Sequence, residues 1–139
     1  MTSGMKDLAR NTWTQHTVTP SATKSTITLR FEPALPDDIP GVYRLERVSD
    51  GKVYYVGETS NLKKRLTFLF RSNSPKNPHP FHSHYQKAVG HTLSCKEMCR
   101  IFRVAIFNTQ GLRGRVEIEQ EEIRRHQTNK KKFYCPPSV

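Results

Sequence analysis

Apolar and polar residues alternate through TITLRF (residues 26–31), where Ile27, Leu29 and Phe31 fall two apart. That period predicts a strand with one buried face. EPALPDDIP (32–40) follows, stiffened by Pro33, Pro36 and Pro40. Two further strand candidates, GVYRLERV (41–48) and KVYYVG (52–57), flank Ser49-Asp50-Gly51. A two-residue turn there pairs Val48 with Val53 and puts Tyr43 and Tyr55 on opposite faces. A three-residue loop with Gly51 left-handed pairs Val48 with Lys52, sets Leu45 opposite Tyr55, and leaves Tyr43 diagonal to Tyr55 on one face. Local rules allow both.

The period then changes. Leu62, Leu66, Leu69 and Phe70 stand at i, i+4, i+7 and i+8 in NLKKRLTFLF (61–70), one stripe of a helix that Thr59 or Ser60 can cap. Residues 71–92 hold Pro75, Pro78 and Pro80 with His79, His82, His84 and His91, and read as a loop leading to a short helix around HYQKAV. Ser94 and Glu97 have capping-box spacing. RVAIF (103–107) predicts a strand, NTQGLRGR (108–115) a loop, and VEIEQEEIRRHQ (116–127) a helix. Residues 1–24 are polar without clear periodicity and predict a mobile arm or a loosely packed extension. The tail TNKKKFYCPPSV is basic and ends in a Pro-Pro breaker.

This order predicts an α+β fold with a small mixed or antiparallel sheet of about three to four strands flanked by helices. It divides the chain into residues 1–39, an arm with one strand and a proline-rich connector, and 40–139, a domain with a basic tail. With 139 residues there is length for one core. No apolar run reaches the ~18 residues of a membrane span, and the first residues lack the apolar core of a signal peptide. Three cysteines argue against a disulfide framework and for a reducing, cytoplasmic setting.

Charge narrows the partner. Lys and Arg number 23 against 12 Asp and Glu, a formal net charge of +11. Such a surface attracts polyanions, nucleic acid first among them. Lys63, Lys64, Arg113, Arg115, Lys130, Lys131 and Lys132 are the candidate DNA-binding cations.

Gly41-Val42-Tyr43, then Tyr55-Val56-Gly57, then Asn61-Leu62-Lys63-Lys64-Arg65-Leu66 resemble the GIY-YIG nuclease family. The likeness is nearest to the catalytic domain of the excision-repair endonuclease C subunit and to compact homing and restriction endonucleases, and it covers roughly residues 40–130. It implies that 40–139 is a nuclease domain cutting DNA phosphodiesters with Mg²⁺ or Mn²⁺ to 5′-phosphate and 3′-hydroxyl ends, as a homodimer if restriction-like. It also implies a shared face for Tyr43 and Tyr55, the outcome of the three-residue loop. Tyr43, Tyr55 and Arg65 match the motif positions, with Tyr43 as the general base and Arg65 as the phosphate grip. Ile118-Glu119-Gln120-Glu121-Glu122-Ile123 matches the segment that carries the metal-binding glutamate.

Helical geometry selects the carboxylate independently. Among Glu117, Glu119, Glu121 and Glu122, Glu119 lies on the stripe of Val116 and Ile123; Glu122 shares a face with Ile118 and is second choice. An inward carboxylate is costly without a partner, and a cation supplies one. Three positions depart from the repair-enzyme pattern. Glu58 stands where Lys is frequent. Leu69 stands where relatives carry Tyr or His, a gap that His79, His82 or His84 can fill. The late asparagine has Asn129 as its nearest candidate. Other readings are a non-catalytic basic nucleic-acid-binding module and a zinc-organised module built on His91, Cys95 and Cys99, with Cys135 and His126 available elsewhere. Ser94 starts a new helix and breaks that second alignment.

Overall fold

The computed structural model describes residues 12–23, 26–71, 78–111 and 114–126. Its elements run β1 (Trp13–Thr23), β2 (Thr26–Glu32), β3 (Gly41–Arg47), β4 (Val53–Thr59), α1 (Leu62–Arg71), α2 (Pro80–Val89), α3 (Cys95–Ile101), β5 (Phe102–Asn108) and α4 (Arg115–Arg125). One five-stranded sheet has the order β2-β1-β5-β3-β4, and every pairing is antiparallel. The fold is α+β, with one strand more than the sequence pattern predicts.

The extra strand is β1, which corrects the expectation of a mobile arm or loosely packed extension for residues 13–23. It pairs with β5 over Trp13–His16 and with β2 over Thr17–Thr23. Its inward positions are His16 and Val18, alternating with exposed Gln15, Thr17 and Thr19. A buried histidine hides the period from any hydrophobicity reading. Its polarity is satisfied: Nδ1 lies 2.6 Å from the Pro33 carbonyl and Nε2 3.0 Å from Thr14 Oγ1. Residues 1–11 lie outside the described residues.

The β3–β4 hairpin follows neither predicted loop. Arg47 N–H donates to the Lys52 carbonyl and Gly51 N–H to the Arg47 carbonyl, closing a loop from Val48 to Gly51, with Gly51 at φ 74°. The register then shifts, Glu46 facing Val53 but Leu45 facing Tyr55, so Tyr54 is the extra residue of a bulge. Loop and bulge together give the face assignment expected of the three-residue loop. Tyr54 and Tyr55 both join the cluster of Tyr43, Leu45, Phe81 and Phe102, while Val42, Val53 and Val56 form a second cluster.

α1 buries Leu62, Leu66, Leu69 and Phe70, the predicted stripe. Its cap is Asn61 rather than Thr59 or Ser60: Asn61 Oδ1 accepts from Lys64 N–H at 3.1 Å. α2 begins at Pro80, earlier than expected, and α3 carries the predicted box, with Ser94 and Glu97 each accepting the other's backbone N–H. α4 is turned relative to its predicted stripe. Val116 is 52% exposed. Ile118 and Ile123 instead pack on Val42, Val53 and Val56, and both Glu119 and Glu122 are buried. Among the described residues no helix is long and apolar enough to cross a membrane.

The turn of α4 follows from an ionic network. Arg44 reaches Glu122 at 3.0 Å and Glu46 at 2.9 Å, and its guanidinium lies 4.2 Å from the Trp13 ring. Arg103 and Gln15 also donate to Glu46. Removing one partner of a buried pair strands the other's charge. Arg44→Ala should therefore cost about 3 kcal/mol, read as a lowered urea midpoint; a loss under about 1 kcal/mol would mean that other contacts hold α4.

Candidate active site

The two glycine positions flanking the tyrosines have separate steric causes. Gly57 pairs opposite Tyr43, and a Cβ there would press into the Tyr43 ring and hydroxyl. Gly57 lets the phenol lie flat across β4. At Gly41 a Cβ would meet the Phe107 carbonyl at 2.5 Å and Leu62 Cδ1 at 2.6 Å, so this glycine lets α1 approach the sheet.

Tyr43 and Tyr55 stack with centroids 6.2 Å apart and planes at 30°. The His79 ring stands edge-on to both, 5.1 Å from Tyr55 and 6.3 Å from Tyr43. His79 caps α2, and its Nδ1 accepts the Phe81 backbone N–H at 3.0 Å. A neutral imidazole that accepts at Nδ1 carries its proton on Nε2. That Nε2 lies 2.9 Å from the Tyr43 hydroxyl oxygen, so His79 donates to the phenol and does not take its proton. The Arg65 guanidinium, one turn into α1, lies near enough for its charge to act on Tyr43.

Opposing forces act on the phenols. Burial pushes Tyr43 well above the ordinary tyrosine range and Tyr55 up to about 12. Tyr55 and Glu119 raise Tyr43 further, whereas Arg65 lowers both phenols. Glu119 is 2% exposed and within electrostatic reach of both rings. Tyr43, Tyr55, Arg65, His79 and Glu119 are thus one neighbourhood assembled from β3, β4, α1, the start of α2 and α4. Arg65 links it to a cavity of about 330 Å³ lined by Thr59, Ser60, Asn61, Lys64, Arg65 and Phe68.

Burial first, then the Arg65 charge, holds His79 down at about 2 from an ordinary 6.5. Below pH 6.5 the unfolded chain takes up a proton that the folded chain refuses. Stability present above that pH therefore falls as pH drops, by about 1.4 kcal/mol per pH unit for such a group, and keeps falling toward the folded value. His16 and His82, also lowered by burial, act with the same sign. Urea midpoints should decline from pH 7 to 5, and less steeply in His79→Gln; equal slopes would show that His79 is not kept neutral.

The remaining predicted residues scatter. His82 Nε2 is 2.7 Å from the Leu69 carbonyl, and Leu69 itself is fully buried. His84 is half-buried, and its charge acts on His79. Lys63 pairs with Asp37 at 3.3 Å, while Lys64 is exposed beside the cavity. Glu58 Oε1 accepts from Arg115 Nε at 2.5 Å, so the acid at the lysine position is matched by a cation counted toward DNA. Arg113, Asn129, Lys130, Lys131, Lys132 and Cys135 lie outside the described residues. The sequence pattern missed His79 as the α2 cap, although Pro80 at the first helical position is its signal. It also missed Phe68, whose ring lies 5.4 Å from the Arg65 guanidinium.

A divalent cation fits the donor set in one way. Among the described residues no three of His, Cys, Asp and Glu gather as a metal-holding group. Buried Glu119 beside two phenols and a guanidinium can supply one hard oxygen ligand, the remaining ligands being waters and a phosphate, as Mg²⁺ tolerates.

A family model described as the GIY-YIG catalytic domain matches residues 39–133, from the start of β3 past the end of α4, with β1 and β2 outside it. No curated protein and no solved structure matches the chain.

Proposed function

The chain belongs to the GIY-YIG nuclease family, and from that premise we propose that it is a DNA endonuclease that uses Mg²⁺ or Mn²⁺ to cut phosphodiesters into 5′-phosphate and 3′-hydroxyl ends. The observation that carries the reading is the Tyr43 oxygen, which lies 2.9 Å from the His79 Nε2–H donor, with the Arg65 and Glu119 charges within electrostatic reach.

Donors aimed at a phenol oxygen favour its ionised form, and this is the direction a general base needs against the opposing pull of burial. Tyr43 acts as the phenolate, its own proton lost to solvent and its oxygen held by His79, which the Phe81 amide locks as an Nε2–H donor; it takes the proton of the attacking water and becomes the neutral phenol. Arg65 grips a non-bridging phosphate oxygen with its planar fork, a geometry a lysine lacks. Tyr55, stacked on Tyr43, orients water or phosphate through its hydroxyl. Lewis acidity at the phosphate and at the departing 3′ oxygen is what a cation held by Glu119 supplies. In this scheme His79 takes the position left open by Leu69.

The test is nicking of supercoiled plasmid by the full chain in Mg²⁺, Mn²⁺ or EDTA, followed by ligation of the products. Metal-dependent nicks that a ligase reseals are expected. DNA binding with no cleavage in either ion would instead leave a non-catalytic binding module.

A further inference from the structure

α1 carries an aromatic that its core packing does not use. Leu62, Leu66, Leu69 and Phe70 complete the inward stripe. Phe68 stands off that stripe, half-buried, on the helix face that bears Lys64, Thr67 and Arg71. It lines the 330 Å³ cavity next to Arg65 and a second one of about 360 Å³ with Lys64, Thr67 and Arg71.

We propose that Phe68 is a stacking platform for an unpaired base of the strand whose phosphate Arg65 grips, so that the preferred substrate is DNA with an unpaired nucleotide beside the scissile bond. This rests on the nuclease reading above.

Three observations converge on that occupant. The first is charge: Lys64 and Arg65 flank the ring on one side and Arg71 on the other, an arrangement complementary to consecutive phosphates. The second is size, because about 330 Å³ falls within the range of small-molecule sites. The third is the aromatic ring itself, which the guanidinium that would hold the phosphate overlies on one face, 5.4 Å from the ring centroid. A paired base has both faces covered by its neighbours, so only an unstacked one can use the ring. Phe68 also packs 5.8 Å from the His79 ring. A purely structural role there would be satisfied by any apolar side chain, and this separates the two readings.

The experiment uses fluorescence anisotropy in EDTA, where no cleavage is expected. Full-length protein is titrated onto a blunt duplex, the same duplex with a single-stranded flap, and the single strand. Wild type should favour the flap over the blunt duplex. Phe68→Leu, which keeps an apolar contact with His79 but has no flat π face, should lower that preference about tenfold, whereas Phe68→Trp should keep it. Unchanged preference in Phe68→Leu, or no flap preference in wild type, would overturn the proposal. Plasmid nicking by wild type is scored separately. Nicking without flap preference removes only the stacking role, whereas no cleavage of any DNA removes the nuclease reading beneath it.

Discussion

Glu119→Gln is expected to slow plasmid nicking in Mg²⁺ or Mn²⁺ by about 10³-fold or more, the scale on which removing a key electrostatic group acts. The substitution preserves size and burial and deletes the negative charge. Glu119 is the buried acid of α4 that acts on both Tyr43 and Tyr55, whereas Glu122 is already bound to Arg44 at 3.0 Å. Glu122→Gln should accordingly weaken the attachment of α4 more than the chemistry. A second readout separates ligand from scaffold. Mn²⁺ should raise the melting temperature of wild type by mass action and leave that of Glu119→Gln unchanged. Near-normal nicking by Glu119→Gln, or an equal Mn²⁺ shift in both proteins, would remove Glu119 from the metal.

Tyr43→Phe should cost about 10²- to 10⁴-fold in rate, the range for a lost general base, with the fold retained. The ring that lies across Gly57 and stacks on Tyr55 remains, and only the oxygen 2.9 Å from His79 Nε2 goes. Its removal leaves the buried His79 Nε2–H without its acceptor, which costs about 1–3 kcal/mol at most. Tyr55→Phe should fall less far, because Tyr55 orients without taking a proton. Equal losses in the two variants would mean that neither phenol is the base. Full activity in Tyr43→Phe would require a base from elsewhere.

Where a residue's role depends on local order, it was legible in the chain. The α1 stripe and the Ser94–Glu97 capping box follow from a period of 3.6 and from side chains that reach only their own turn, whereas Glu119 is inward although Val116 of its expected stripe is exposed. The motif spacing likewise pointed to the family that the model match shows. Tertiary structure decided the rest, because several signals are invisible to a one-dimensional pattern. β1 was hidden by an inward histidine whose partner, the Pro33 carbonyl, lies 17 residues away. The faces of Tyr43 and Tyr55 depended on a bulge at Tyr54 that compensates for the hairpin loop. α4 turned Val116 outward because Arg44, on a distant strand, holds Glu122. Among three candidate histidines, only a hydrogen bond across 36 residues singled out His79. Pairing of polar groups across elements has no period, so only the folded chain determines which buried charge meets which.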